Sequence, residues 1–347
     1  VRALRLTGWK HEPELLEIPD PEPGPGQVVI RVGGAGACHS DLHVMEEFEP
    51  GTVPYELPFT LGHENAGWVE SLGAGVHGLE VGQPVAVYGP WGCGRCHRCR
   101  SGFENYCEHQ AEIGAAGGGL GRDGGMASRM LIPDPRFLVP LDSLHPVDAA
   151  PLTDAGLTPY HAVKRSLPLL GAGSTAVVIG AGGGLGHMAV QLVETLSAAT
   201  IVAVDRDERG LRVAEAAGAH RSVLAGPGAV EEIRALTRGR GADVVIDIVG
   251  NDATIGLAVA SVRSMGHVTV VGIGGGTYPF GFFTTPQEAS LATTYWGSLP
   301  ELMEVVALAE AGRIRAEVQR FSLADAHLAY AAMREGRLEG RAVIVPD

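Results

Sequence analysis

The stretch between residues 174 and 205 limits the fold more tightly than any other. Residues 174–180 are a short apolar run that reads as a buried strand, and Ala181-Gly182-Gly183-Gly184-Leu185-Gly186 turns it into a helix. Leu185, Met188, Ala189, Leu192 and Leu196 keep the spacing of one helical face, and residues 200–204 form a second strand that ends on Asp205. A glycine-rich turn between strand and helix lets backbone N–H groups approach a pyrophosphate at the positive helix end. A carboxylate after the second strand can hold a ribose diol. Counted from Gly180 the turn is one residue longer than G-x-G-x-x-G, and its last six residues put Ala181 at the first glycine. The context still defines a dinucleotide site made by Gly180, Gly183, Gly184, Leu185, Gly186, Asp205 and Arg206. A 2′-phosphate would meet the charge of Asp205, so NAD is expected over NADP, although Arg206 and Arg209 soften that discrimination.

The winding continues: helix 207–217, strand 221–224, helix 228–238, strand 242–248, helix 252–261 and strand 267–272. Right-handed crossovers make these one parallel sheet with both faces covered. Val271-Gly272-Ile273 closes the last strand at the carboxyl edge, where a nicotinamide is expected.

Before residue 150 the pattern is different. Residues 2–7, 27–32, 62–72 and 84–88 read as short strands, and the proline-rich run 19–26 excludes a helix. Gly33, Gly34 and Gly36 suit a bend or a close backbone approach after the second of these strands. The first part is therefore a β-rich domain with a partly closed sheet. The tail carries a helix near 300–311 and a last strand at 341–345, and it is assigned back to this first domain. The expected division is 1–155 with 296–347, and 156–295 as an inserted cofactor domain.

A chain of 347 residues with 45% hydrophobic residues and 50 glycines suits a two-domain α/β enzyme. Its formal net charge of −14 argues against a nucleic-acid or anionic-membrane partner and for a small molecule. No apolar leader is read at the N-terminus, so a soluble, cytoplasmic protein is expected.

Of the five cysteines, Cys93, Cys96, Cys99 and Cys107 are spaced C-x2-C-x2-C-x7-C, close enough to wrap one tetrahedral ion in a lobe of about residues 91–110. Four sulfurs leave no position for water, so the metal is expected to be structural. A zinc ribbon for nucleic acid and an iron–sulfur cluster are the alternatives. Cys38 is left over, in Cys38-His39-Ser40-Asp41-Leu42-His43, where Ser40 and His43 would share one helical face and could pass a proton. Alone, this stretch is equally a buried free thiol among polar residues. Gly62-His63-Glu64 adds a second donor, and a catalytic zinc needs a third.

Together these residues closely resemble the zinc-dependent medium-chain alcohol dehydrogenases over essentially the whole chain. The anchors are residues 38–43, Gly62-His63-Glu64, the four-cysteine loop, Gly180 to Gly186 and Asp205. The resemblance implies a GroES-like catalytic domain joined to a Rossmann doubly wound cofactor domain, two zinc ions and NAD. It implies Asp154 as the third ligand beside Cys38 and His63, where cysteine is common. It also implies a proton relay from Ser40 through the cofactor ribose to His43, Glu64 behind the metal, Asp41 orienting His63, and Arg341 near Asp41 and the pyrophosphate. His39 stands where many members carry a pyrophosphate-binding arginine. Trp91, Leu120, Tyr295 and Trp296, with Phe282 or Phe283, are expected to line an apolar pocket, Trp296 also touching cofactor.

The activity implied is oxidation of a primary or secondary alcohol to an aldehyde or ketone by an oxidoreductase that forms a homodimer or homotetramer. A polyol dehydrogenase, or a nicotinamide-binding zinc protein without turnover, are the alternatives.

Overall fold

The structure is a computed structural model that describes residues 1–346. It separates into two compact units, Val1–Leu157 with Gly297–Gly312 and 317–346, and Thr158–Trp296 with Arg313–Ala316.

The first unit is built around the strand Val28–Gly36, eight of whose nine residues are buried. On one side it pairs antiparallel with Glu64–Leu72, which pairs with Pro84–Val87 and then Leu138–Pro140. On the other side it pairs with Arg341–Val345, and this last strand runs parallel to Val318–Ser322. Arg129–Ile132 also pairs with Val28–Gly36. A second, three-stranded sheet joins Glu14–Glu17, Arg2–Leu6 and Phe59–Thr60.

Gly33, Gly34 and Gly36 do not make a bend. They stay in the strand, which shifts register between Val29 and Ile30 and again between Val32 and Gly34. Close approach is the reason for them: a Cβ on Gly36 would fall 1.9 Å from Glu64 Oε2. The strand therefore delivers Cys38 with the Glu64 side chain lying across its backbone.

The second unit holds a six-stranded parallel sheet in the order Arg221–Leu224, Thr200–Asp205, Thr175–Ile179, Ala242–Asp247, Val262–Val270, Ser290–Thr293. Strands buried on both faces need apolar runs, and Val177, Ile179, Val202, Val204, Val245 and Val268 supply the core. Each such side chain contributes on the order of 2 kcal/mol by leaving water. The strand order reverses between Thr175–Ile179 and Ala242–Asp247, the place where ligands bind at the carboxyl ends of open parallel sheets.

The elements not anticipated include the strands Glu14–Glu17, Arg129–Ile132 and Leu138–Pro140, the edge strands Ser290–Thr293 and Val318–Ser322, and the helix Ala326–Arg334. The strand expected at 267–272 runs instead over Val262–Val270. Among the described residues no helix is long and apolar enough to cross a membrane.

Candidate metal centre and cofactor turn

At the end of Val28–Gly36 the chain turns at Cys38 into the four-residue helix His39–Leu42. Asp41 ties this turn back, its Oδ2 accepting the Cys38 N–H at 2.9 Å. The helix continues as a π-helical turn, His43–Glu47, a geometry that recurs at functional sites. It sets His43 Nδ1 2.9 Å from Glu47 Oε2, a partner the sequence reading did not name. Ser40 lies beside the thiol, with Cys38 Sγ donating to its Oγ at 3.5 Å.

Gly62, at φ +93°, makes the turn that no side chain would easily allow, and it aims His63 and Glu64 inward. His63 Nδ1 donates to Asp41 Oδ1 at 3.0 Å, which leaves Nε2 facing Asp154 Oδ2 at 3.6 Å. Asp154 follows the 3₁₀ turn Ala150–Thr153, and its Oδ2 is also 3.8 Å from Cys38 Sγ. Cys38, His63, Glu64 and Asp154 are all buried, and one donor atom from each lies within 4.8 Å of the others. Zinc held by sulfur, nitrogen and oxygen at its usual bond lengths separates its ligands by about 3.3–3.8 Å, so this donor set fits the ion.

Charge makes the same point. Asp41, Glu64 and Asp154 are buried together with the Cys38 thiol, and Arg341 is the only buried arginine or lysine among the described residues. A dication would offset what one guanidinium leaves uncompensated. Burial pulls the His63 imidazole down, but Asp41, Asp154 and Cys38 together hold it well above its ordinary range, so that without a metal Nε2 keeps a proton that a bound ion would displace. Burial pushes the Glu64 carboxyl up to about 7 against the opposing guanidinium of Arg341.

Arg341 grips Glu64, a partner the sequence reading did not name, with Nε at 2.9 Å and Nη2 alongside, and Nη2 is 3.9 Å from Asp154. Its place on the strand next to Val28–Gly36 dictates this, because Glu64 faces Gly36 in register.

Asp41 has a third partner, Tyr330, whose hydroxyl donates to Oδ2 at 3.1 Å. Tyr330 lies on the unanticipated helix Ala326–Arg334 and is fully buried.

The four-cysteine lobe is held together by its thiols, with Ile113 packed against them. Backbone N–H groups point at the sulfurs: Cys93 to Cys107, Cys96 to Cys93 and Cys99 to Cys96, at 3.3–3.4 Å. Sγ separations of 3.4 Å and 3.9 Å, Cys96 to Cys99 and Cys93 to Cys99, bracket the roughly 3.8 Å of a tetrahedral zinc–thiolate site.

In the second unit, Gly180 turns at φ +75° and Gly183 donates its N–H to the Gly180 carbonyl. Gly184 and Leu185 lead into the helix Gly186–Leu196. Asp205 Oδ2 accepts the Gly182 N–H and Oδ1 the Arg206 N–H, both at 2.8 Å, so the carboxylate stands at the turn itself. Val271 and Gly272 lie just past the strand end, both donating to the Asp247 carbonyl, and Ile273 is exposed. Tyr295 and Trp296 touch edge to face at 5.6 Å, and Phe282 and Phe283 are exposed. In the first unit His39 is exposed, Leu120 is buried, and Trp91 stacks on Phe137 with its indole N–H on the Tyr88 carbonyl.

Two family patterns match the chain, "Alcohol dehydrogenase GroES-like domain" over residues 24–143 and "Zinc-binding dehydrogenase" over residues 184–311. An NAD-dependent alcohol dehydrogenase of Sulfurisphaera tokodaii is 36% identical over 356 residues, covering 100% of both chains. The chain belongs to the zinc-dependent medium-chain alcohol dehydrogenase family.

Within that family, the D-arabinose 1-dehydrogenase (NADP(+)) of Saccharolobus solfataricus is also 36% identical, over 99% of this chain and 97% of its own. The crystal structure of the alcohol dehydrogenase from Aeropyrum pernix superposes with a TM-score of 0.92 at 35% identity, over 100% of each chain. A GroES-like and a Rossmann-like part, zinc and NAD are the properties of the family to which these residues conform.

Proposed function

We propose that this protein reversibly oxidises alcohols to aldehydes or ketones. The alcohol gives a hydride to NAD and a proton to water. The observation that carries this reading is the buried donor set of Cys38, His63 and Asp154, with the Glu64–Arg341 pair behind it, in a chain aligned end to end with NAD-dependent alcohol dehydrogenases.

In this reading Cys38, His63 and Asp154 hold the catalytic zinc, and Cys93, Cys96, Cys99 and Cys107 hold the structural one. Zinc supplies a Lewis acid that makes an alcohol hydroxyl acidic near neutrality, and NAD supplies the hydride acceptor. Asp41 fixes the His63 tautomer, so that Nε2 serves as the donor. Ser40 would take the hydroxyl proton and His43 would release it to water, with a bound cofactor completing the path between them. Glu47 balances the imidazolium that forms there. The turn Gly180, Gly183, Gly184, Leu185 and Gly186 would hold the pyrophosphate, a role also assigned to His39. Asp205 and Arg206 would hold the ribose, and Val271, Gly272 and Ile273 would contact the nicotinamide. Trp91, Leu120, Tyr295 and Trp296 bound the substrate.

The test is metal analysis coupled to turnover. About two zinc per chain are expected, and stripping the less tightly held one should abolish NADH formation while the other stays. Undiminished turnover with one zinc per chain would sink the reading.

A sugar or polyol substrate is the second reading, favoured by the D-arabinose 1-dehydrogenase relative. A panel of simple alkanols, polyols and aldoses read at the NADH absorbance separates the two. The protein is further assigned to the cytoplasm, supported by five free cysteines, and to a homodimer or homotetramer, a state that light scattering on the purified protein would read.

A further inference from the structure

We propose that Tyr330 is a positioning residue for the metal centre, acting through Asp41 to hold the His63 imidazole in the orientation that ligation needs. The inference rests on reading Cys38, His63 and Asp154 as a zinc site. It concerns a residue that touches neither metal nor substrate.

Asp41 is fully buried and its two oxygens are shared among three donors. Oδ1 takes the His63 Nδ1–H at 3.0 Å, and Oδ2 takes the Cys38 N–H at 2.9 Å and the Tyr330 hydroxyl at 3.1 Å. The Cys38 N–H comes from the segment that carries the thiol ligand, and the Nδ1–H from the imidazole ligand. Only the Tyr330 hydroxyl comes from outside the ligand-bearing segments, so it anchors the carboxylate to the body of the unit. Met126 Sδ, 3.3 Å from the same hydroxyl, closes the pocket with an atom that binds hydrogen only weakly, which leaves Asp41 as the better acceptor.

The helix that carries Tyr330 has a second hold on the same segment. One turn further on, Arg334 Nε donates to Glu46 Oε1 at 2.6 Å and Nη2 to Glu12 Oε1 at 2.7 Å. Residues four apart on a helix share a face, so Tyr330 and Arg334 together press on residues 38–47, one at the ligand end and one at the π-helical turn. Arg334 is partly exposed and its pairs docking the helix are those of the surface, whereas the Tyr330–Asp41 bond is enclosed. Arg334 thus holds the helix from its exposed side and Tyr330 from its buried one.

Hydrogen-bond partners of ligating histidines commonly change metal affinity 10- to 100-fold, and Tyr330 stands one bond further out. The Tyr330→Phe variant keeps the ring and removes the hydroxyl alone. Its catalytic-site zinc should be lost to a chelator at about three- to tenfold lower concentration than in the wild type. The visible bands of the cobalt-substituted centre should shift or broaden. Release of the zinc held by the four cysteines should not change. The Arg334→Gln variant, which loosens the same helix without touching Asp41, should melt earlier yet keep the wild-type chelation midpoint and cobalt spectrum.

An unchanged midpoint and spectrum in Tyr330→Phe would overturn the proposal. So would an equal weakening in Arg334→Gln, because docking of the helix would then account for the effect. A wild-type protein that binds only the cysteine-held zinc would instead remove the site reading beneath it, and that result is separately visible in the metal content.

Discussion

Arg341 and Glu64 are paired in the buried interior, and the consequences follow from that enclosure. Breaking a buried pair leaves an uncompensated charge and costs about 3–5 kcal/mol. Arg341→Met should therefore destabilise the metal-free protein by about that much, read by urea unfolding. Added zinc should recover a larger part of the loss than it adds to the wild type, since a dication then has more negative charge to offset. At the other site, Asp205→Gly should lower the ratio of kcat/KM for NAD over NADP by about tenfold, or about 1.4 kcal/mol. The same change removes the acceptor for the Gly182 N–H, so a fall in stability of about 1 kcal/mol should accompany it. Residues whose chemistry is local were legible in the sequence. Four cysteines within fifteen positions and a carboxylate at the end of a strand declare themselves. Tyr330 did not, because its partner Asp41 lies 289 positions away and a tyrosine in a helix reads as core. The Glu64 partner of Arg341 was hidden likewise, 277 positions off, until strand pairing put them side by side.

Strands and turns carry their own predictions. Gly36→Ala would drive a methyl into Glu64, and a close-packed interior has no room to yield. A loss of about 1–3 kcal/mol in thermal or urea unfolding is expected, together with weaker retention of the catalytic zinc. At the end of Ala242–Asp247, burial raises the Asp247 carboxyl above its ordinary range, against the Val249 and Gly250 N–H groups that favour the charged form. The folded state then holds this proton more tightly than the unfolded chain. Stability is accordingly lost as pH rises from the unfolded carboxylate range through the folded one. Asp247→Asn keeps an acceptor for both N–H groups and removes that loss, so its urea midpoint relative to wild type should be higher at pH 7 than at pH 4. Equal differences at both pH values would show that the carboxyl titrates normally. Elements with a strong period, such as Thr200–Asp205 and Gly186–Leu196, were legible. Ser290–Thr293 and Val318–Ser322 were not, because both lie at sheet edges, half exposed, where no apolar alternation is imposed.

On the scale of the molecule, the parallel sheet and the four-cysteine lobe rely on different sources of cohesion. The parallel sheet is held by its valines and isoleucines, whereas the four-cysteine lobe has little beyond its sulfurs and Ile113. Cys96→Ser should therefore cost one zinc per chain and open residues 93–113 to proteolysis while the second unit keeps its resistance, which limited digestion and mass spectrometry would reveal. The division into a β-rich and a doubly wound part was foreseeable from the change of hydrophobic period near residue 150. Pairing order was not, since nothing in the sequence states that the strand Arg341–Val345 inserts between Val28–Gly36 and Val318–Ser322. That insertion also sets a timetable. A chain growing on the ribosome presents Cys38, His63 and Asp154 long before residue 341 emerges, and until then a nest of acids waits without its guanidinium. The Glu64–Arg341 pair can therefore close only once residue 341 is available.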